Sequence, residues 1–238
     1  MSGHSKWSSI KHQKGLADQK RGAVFSKLAN AITVAARGGT DPELNFQLRL
    51  AIDRAGDNNM PKDNIERAID RVKGTDASVM EEIVFEAYGP GGTAFLIETA
   101  TTNRNRTVSD IRAILNKFDG KLAESGSVGY LFKKRGQIIL ENFDVATAEL
   151  AAIEAGAIDL EIDDDKVFVY TDPKELEFVR RRLAEANFSS NQVSFEHQPT
   201  TTVLITEPKL AERIIKLSTA LTRLDDVIKI SSNFDIPI

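Results

Sequence analysis

Apolar residues in the first third of the chain recur at intervals of three and four, the spacing that places them on one face of a helix. This pattern predicts three helices, over residues 20–37, 42–55 and 61–73. Asp41 stands directly before a proline, so we expect it to cap the second helix, with Leu44 at the start of the apolar stripe. The short loops between the three helices predict a small bundle.

Beyond residue 75 the pattern changes to the alternation that is typical of β-strands. Residues 83–88 and 93–100 are rich in β-branched and aromatic side chains. The glycine-rich segment 89–92 between them predicts a hairpin with a four-residue loop. A polar loop over residues 101–106 then leads into a predicted helix, and residues 128–132 are predicted to form another strand.

Residues 133–199 contain the patterns of a strand, a helix capped by Asp144, two strands, a helix and a strand, the order of a ferredoxin-like domain. After this segment, residues 201–205 are predicted to form a strand, and a helix is predicted to begin at Pro208. The strands predicted on either side of this segment are each too few for a stable sheet. We therefore expect an α+β protein: an N-terminal three-helix bundle and two α/β domains, the ferredoxin-like one inserted in the other. The predicted domains are 1–75, then 76–132 together with 200–238, and 133–199. Two consecutive small sheets are the alternative.

Charge is distributed unevenly along the chain, although the net charge is only −4. The first 40 residues hold seven Lys or Arg against one Asp, a net +6. Residues 136–199 hold five basic against fourteen acidic residues, a net −9. A basic end on an acidic body favours local contact between the basic end and a polyanion. The alternative is that the uneven charge is simply solvated and has no binding role. The chain has no cysteine and no apolar run of signal-peptide or membrane-span length, which predicts a cytoplasmic protein without a membrane partner.

The motifs that would indicate a common enzyme class are missing from the sequence. It has no phosphate-binding or dinucleotide-binding glycine motif, no nucleophile elbow, and no histidine pair at zinc-binding spacing. The acidic run Asp163–Asp165 lacks the spacing and glycine of a calcium loop. We therefore predict no catalysis, cofactor, metal or small-molecule substrate. An enzyme with a polar cleft between the two α/β domains stays open as an alternative.

Two segments carry the residue types that nucleic-acid binding requires. Lysines and arginines neutralise phosphates, and an exposed tryptophan can stack on an unpaired base. The N-terminal segment combines such residues: His4, Lys6, Trp7, Lys11, His12, Lys14, Lys20 and Arg21. The second segment is Asn103-Arg104-Asn105-Arg106, where the alternative is helix capping and ion pairing. Trp7 has an alternative role as a core anchor.

Several blocks of this sequence, in fixed order along the chain, resemble the YebC/PmpR family. They include Gly3-His4-Ser5-Lys6-Trp7, Phe25-Ser26-Lys27-Leu28, Tyr88-Gly89-Pro90-Gly91-Gly92, Asn103-Arg104-Asn105-Arg106-Thr107, Gly126-Ser127-Val128 and Leu224-Asp225-Asp226-Val227. The resemblance implies a three-domain cytoplasmic protein that binds DNA and regulates transcription. A mitochondrial relative is described as a translational activator of a cytochrome oxidase subunit, and bacterial members have been linked to the ribosome.

The expected function is therefore a nucleic-acid-binding regulator of gene expression, and its expected partner is DNA or ribosomal RNA, with the ribosome as a further candidate. A ribosome-associated translation factor that docks on structured RNA is the alternative. The resemblance extends the candidate binding residues to Lys27, giving the set His4, Lys6, Trp7, Lys11, His12, Lys14, Lys20, Arg21, Lys27, Arg104 and Arg106.

Overall fold

The structure, a computed structural model, describes residues 21–73, 80–190 and 192–237. No helix among these described residues is long and apolar enough to cross a membrane. Seven of the candidate binding residues, His4, Lys6, Trp7, Lys11, His12, Lys14 and Lys20, lie outside the described residues.

Three helices form in the first part of the described chain: α1 (Arg21–Ala36), α2 (Phe46–Asp57) and α3 (Lys62–Asp70). A 3-10 turn, Arg71–Lys73, follows α3. The three helices share one apolar cluster because the periodic positions face each other. Its buried members are Val24, Leu28, Ala29, Ile32, Ala36, Leu48, Ala55, Met60 and Ala68.

The predicted start of α2 is wrong by several residues. Asn45, not Asp41, caps the helix, since its side-chain oxygen accepts the N–H of Leu48 at 3.1 Å. The amide nitrogen of Asn45 also donates to the carbonyls of Ala35 and Gly39, each at 2.7 Å, which joins the end of α1 to the start of α2. Leu44 therefore precedes the helix and is 88% exposed.

A four-stranded sheet in the order β3-β1-β2-β9 follows the helices. Its strands are β1 (Glu81–Tyr88), β2 (Ala94–Thr101), β3 (Lys121–Leu122) and β9 (Val227–Ser232), and β2 lies antiparallel to β1 and β9. The helices α4 (Arg104–Lys117) and α7 (Pro208–Thr222) pack on this sheet through Ile111, Leu115, Ile214, Leu217 and Leu221. Helix α1 also contacts β2 and β9.

Short elements account for the wrong strand predictions in this part of the chain. Residues 128–132 do not form a strand: Gly129–Leu131 is a 3-10 turn, and β4 begins at Phe132. The strand expected over 201–205 shortens to β8 (Val203–Leu204), which pairs in parallel with β10 (Phe234–Asp235). Two-residue strands such as β3, β8 and β10 are too short to show an alternating pattern.

Residues 133–198 form a compact unit of their own. It contains β4 (Phe132–Leu140), α5 (Val145–Ala155), β5 (Asp159–Asp163), β6 (Lys166–Thr171), α6 (Leu176–Glu185) and β7 (Val193–Pro199). The strands lie in the order β5-β6-β4-β7. Asp144 caps α5 as expected, accepting the N–H of Thr147 at 3.0 Å, and Gly156 ends it with a φ of 106°.

The remaining described residues, 21–132 and 199–237, form the second compact unit. Helices and mostly antiparallel strands occur in the same chain, so the predicted α+β class is confirmed. The division into three domains, with a separate helical bundle and an inserted domain, stays a prediction.

Candidate nucleic-acid interface

Three candidate binding residues have described side chains: Lys27, Arg104 and Arg106. Arg21 is described as the first residue of α1. Lys27 lies on α1, and the two arginines lie in the first turn of α4. All three belong to the unit formed by residues 21–132 and 199–237.

Lys27 is buried, which contradicts its assignment to a binding surface. Its ammonium group donates to the carbonyl of Val227 at 2.8 Å and also to the carbonyl of Thr222. Burial lowers the pKa of Lys27 from 10.5 to about 8, although the carboxylates of Asp225 and Asp226 act in the opposite direction. A cation that is enclosed and held by two carbonyls is a structural link rather than a contact for phosphate.

Arg106 pairs with Asp226, on the turn before β9. One guanidinium nitrogen lies 2.8 Å from each carboxylate oxygen of Asp226. The hydroxyls of Thr107 and Thr101 donate to the same carboxylate at 2.6 Å and 3.1 Å. Burial raises the pKa of Asp226, but the hydrogen bonds from Arg106 and Thr107, together with the arginine charge, outweigh burial and lower it. The charge of Arg106 is therefore largely matched within the protein.

Arg104 is exposed, as is Arg106, but the charge of Arg106 is already paired with Asp226. Asn103 caps α4, since its side chain accepts the N–H of Arg106 at 3.1 Å, so the last three residues of the expected loop over 101–106 are helical. The first turn of α4 has no acidic residue. Arginines in that turn add positive charge where the helix dipole is already positive, and positive charge at this end of the helix favours anions. An anion that approached Arg104 would therefore also meet the positive end of the helix.

One turn, residues 223–226, connects Lys27 with the arginine segment. Lys27 holds the carbonyls on both sides of this turn, and Asp226 within it holds Arg106 and Thr107. The sequence blocks around Lys27, Arg104 and Asp226, which resemble those of the YebC/PmpR family, thus meet at one place in the fold. Sequence reasoning missed the role of Asp226 because its partners lie about 120 or more residues away.

The glycine-rich hairpin loop is a turn that packs against neighbouring side chains, and not a flexible loop that is free to contact a partner. The N–H of Gly89 donates to the carbonyl of Thr93 at 2.7 Å, and a Cβ on Gly89 would come within 2.5 Å of the Phe95 ring. Gly91 has a φ of 72°, and a Cβ there would lie 2.8 Å from the side chain of Leu210. The loop spans residues 89–93 and lies at the opposite end of β2 from the arginines.

Glu86 organises the loop that precedes β4. Its carboxylate accepts the N–H groups of Gly126 at 2.7 Å, Val128 at 2.6 Å and Gly129 at 2.8 Å. Burial raises the pKa of Glu86, but these backbone hydrogen bonds outweigh burial and hold it below its usual range. These bonds also explain why residues 128–132 form a turn, because their N–H groups point at a carboxylate rather than at a neighbouring strand.

We expect Glu86→Gln to destabilise the protein by about 2–4 kcal/mol, because an amide cannot accept three N–H groups as a carboxylate does. Urea unfolding at neutral pH measures the loss. Since the folded pKa of Glu86 is lowered, its contribution is present above the unfolded pKa and disappears as the pH falls through the folded one. The difference between the wild type and the variant should therefore shrink in acid. Equal stability at neutral pH would contradict the role of Glu86.

The described part of the chain offers no cluster of three histidines or carboxylates that could hold a metal ion. A cleft beside α7 is lined mainly by Ile205, Pro208, Ala211, Ile215 and Ile236, and the ion pair of Lys216 with Glu212 lies at the same cleft. Its lining is mostly apolar.

Comparisons with known proteins match nearly the whole chain to a single family. Residues 5–75 match the family model described as the TACO1/YebC protein N-terminal domain, and residues 80–234 match the TACO1/YebC second and third domain. The chain is 48% identical to a probable transcriptional regulatory protein of Halothermothrix orenii over 100% of this chain and 96% of that protein. It is 49% identical to one of Rubrobacter xylanophilus over 99% and 96%. The crystal structure of a conserved hypothetical protein from Aquifex aeolicus is 39% identical, with a TM-score of 0.90 over 98% of both chains.

Proposed function

Because the chain belongs to the TACO1/YebC family, we propose that it is a cytoplasmic, non-enzymatic regulator of gene expression that binds nucleic acid. Relatives about half identical over their length are named probable transcriptional regulatory proteins, which supports a regulator of the YebC type. The proposal includes three domains: a helical one over 1–75, an α/β one from 76–132 with 200–238, and a ferredoxin-like one over 133–199.

The observation that carries the proposal is the combination of Arg104 with the basic N-terminal segment. Arg104 is exposed at the positive end of α4, where a phosphate would be stabilised by both the guanidinium and the backbone N–H groups. The first 40 residues add a net charge of +6. We propose Lys6, Lys11, Lys14, Lys20 and Arg21 as phosphate contacts, with His4, Trp7 and His12 beside them.

Structured RNA on the ribosome is the second candidate for the bound nucleic acid. Lys27 is buried and Arg106 is paired with Asp226, so the described residues offer fewer cations than the sequence indicated. Duplex DNA is bound through many phosphates at once, whereas folded RNA is recognised by shape at a few points. A small number of exposed cations therefore suits folded RNA better. Crosslinking in cells, followed by sequencing of the bound nucleic acid, decides between the two.

Arg104→Ala and Arg106→Ala should have different effects, although the residues are two positions apart. Arg104→Ala should leave stability within about 0.5 kcal/mol. It should weaken binding to nucleic acid and lower the slope of log affinity against log salt by about 1. Arg106→Ala should cost about 1 kcal/mol of stability, since the ion pair with Asp226 is half exposed. Fluorescence anisotropy at matched ionic strength, with structured RNA and with duplex DNA, measures the binding of each variant. Urea unfolding measures the stability of each variant.

The two variants control for each other because each removes one arginine charge. If Arg106→Ala lowered the salt slope as much as Arg104→Ala without any loss of stability, Arg106 would be the contact and the proposed assignment would be wrong. If neither variant changed binding to either nucleic acid, the start of α4 would have no part in the interface.

A further inference from the structure

Two tyrosines lie exposed at one end of the β3-β1-β2-β9 sheet. Tyr130, in the turn before β4, is 74% exposed, and Tyr88, the last residue of β1, is 42% exposed. Aromatic side chains usually bury most of their surface, so two exposed rings in the same part of the fold indicate a surface for binding.

The turn that carries Tyr130 is held firmly in place. On one side of Tyr130, Gly129 donates to the carboxylate of Glu86 at 2.8 Å. On the other side, Leu131 packs against a buried cluster that includes Val128, and its carbonyl accepts the N–H of Thr200 at 2.7 Å. The exposed ring is thus attached to an ordered backbone, which lowers the conformational entropy that binding would cost.

Tyr88 is attached to the same turn. The side chains of Glu86 and Tyr88 point to one face of β1 because they are two residues apart. The hydroxyl of Tyr88 donates to the carbonyl of Ser127 at 3.0 Å, while Glu86 accepts N–H groups on both sides of Ser127. Residues 126–129 therefore position the Tyr88 ring through its hydroxyl and hold the backbone next to Tyr130.

A lysine stands beside the tyrosines. Lys121 on β3 is the antiparallel partner of Tyr88, so the two side chains share a face of the sheet with Cβ atoms about 5 Å apart. Lys121 is exposed, as is the nearby Glu124, while the carboxylate of Glu86 is buried and occupied by the turn. The exposed groups here are flat aromatic rings, a phenol hydroxyl, the cation of Lys121 and the carboxylate of Glu124.

We propose that Tyr88, Lys121 and Tyr130 form a site for an unpaired segment of nucleic acid, which deepens the proposed function and rests on it. The Tyr130 ring stacks on a base, and Lys121 contacts an adjoining phosphate. Stacking requires bases that are not enclosed in a duplex, because only these present their flat faces to a side chain. The site therefore recognises single-stranded nucleic acid or an open loop, and it is distinct from the start of α4, which meets phosphates alone.

Fluorescence anisotropy of the full-length protein with a short labelled oligouridylate, and with a duplex of matched length, tests the site. Tyr130→Ala should weaken binding to the oligouridylate by about 5- to 150-fold, the range of one base–aromatic stack. It should leave the salt slope unchanged, because stacking involves no counterion release. Tyr130→Phe should retain the affinity, and Lys121→Gln should lower the salt slope by about 1. Duplex binding should stay within about twofold for both tyrosine variants.

Phe178→Ala is the matched control, since Phe178 is an aromatic residue of 46% exposure on α6. It should change neither affinity. If Tyr130→Ala bound oligouridylate like the wild type, or lost duplex and single strand equally, the site would be overturned while the proposed function stood. If the wild type bound neither probe, the proposed function itself would fail together with the site. Thermal unfolding of each variant confirms that the fold is retained.

Discussion

Replacing Lys6, Lys11, Lys14, Lys20 and Arg21 together with alanine should remove most of the salt-dependent affinity of this protein for nucleic acid. Each lysine or arginine that neutralises a phosphate releases condensed counterions, and each contact adds about 0.9 to the slope of log affinity against log salt on duplex DNA. Loss of all five should therefore lower that slope by up to about 4.5, and the affinity at low salt by several orders of magnitude. Anisotropy titrations over a series of salt concentrations measure both quantities.

The matched control changes charge in the acidic unit instead. Asp163, Asp164 and Asp165 lie at the turn between β5 and β6, and their replacement by asparagine alters the net charge without touching the proposed contacts. Asp164 has a positive φ of 53°, which asparagine tolerates well. This variant should bind almost as the wild type does. If it changed the affinity as much as the lysine and arginine variant did, the overall charge of the protein would govern binding, and local contact by the N-terminal segment would be wrong.

Local signals in the sequence predicted the order of most of the longer elements. Asp144 was correctly identified as the cap of α5, and Pro208 as the first residue of α7, because capping and proline effects act within one turn of the chain. Asp41 shows the limit of such signals. The Asp-Pro pair is equally typical of a turn, and Asn45 caps α2 because its side chain can also reach the carbonyls of Ala35, at the end of α1, and Gly39.

The candidate site was harder to predict because charge alone does not reveal a partner. Lys27 and Arg106 have the charge expected of a binding surface, but their partners Val227, at the start of β9, and Asp226, just before it, lie 200 and 120 residues along the chain. Similarly, no local pattern indicates that Glu86 accepts N–H groups from a turn some 40 residues later. Exposed residues such as Arg104 and Tyr130 become distinguishable from structural ones only when these long-range pairs are known.

Lys27→Met should destabilise the protein by about 2–4 kcal/mol near pH 7. Methionine fills a similar volume, but it leaves the carbonyls of Thr222 and Val227 without the donor that Lys27 supplies. Lys73→Met is the matched control. Lys73 forms an exposed ion pair with Asp70, so its loss should cost no more than about 0.5 kcal/mol. Urea unfolding of the two variants beside the wild type measures the difference.

The pH dependence of stability tests the same contact independently of the size of the loss. The pKa of Lys27 is lowered to about 8 in the folded protein from 10.5, so the folded state binds this proton less tightly than the unfolded chain does. Stability contributed by Lys27 therefore rises as the pH increases from about 8 towards 10.5, because the unfolded state binds more protons in that window. The difference in the free energy of unfolding between the wild type and Lys27→Met should widen over the same range. The difference between the wild type and Lys73→Met should stay constant. If Lys27→Met were no less stable than Lys73→Met and its difference from the wild type did not change with pH, Lys27 would not be the buried link between α1 and the turn before β9. Its charge would then again be a candidate for contact with nucleic acid.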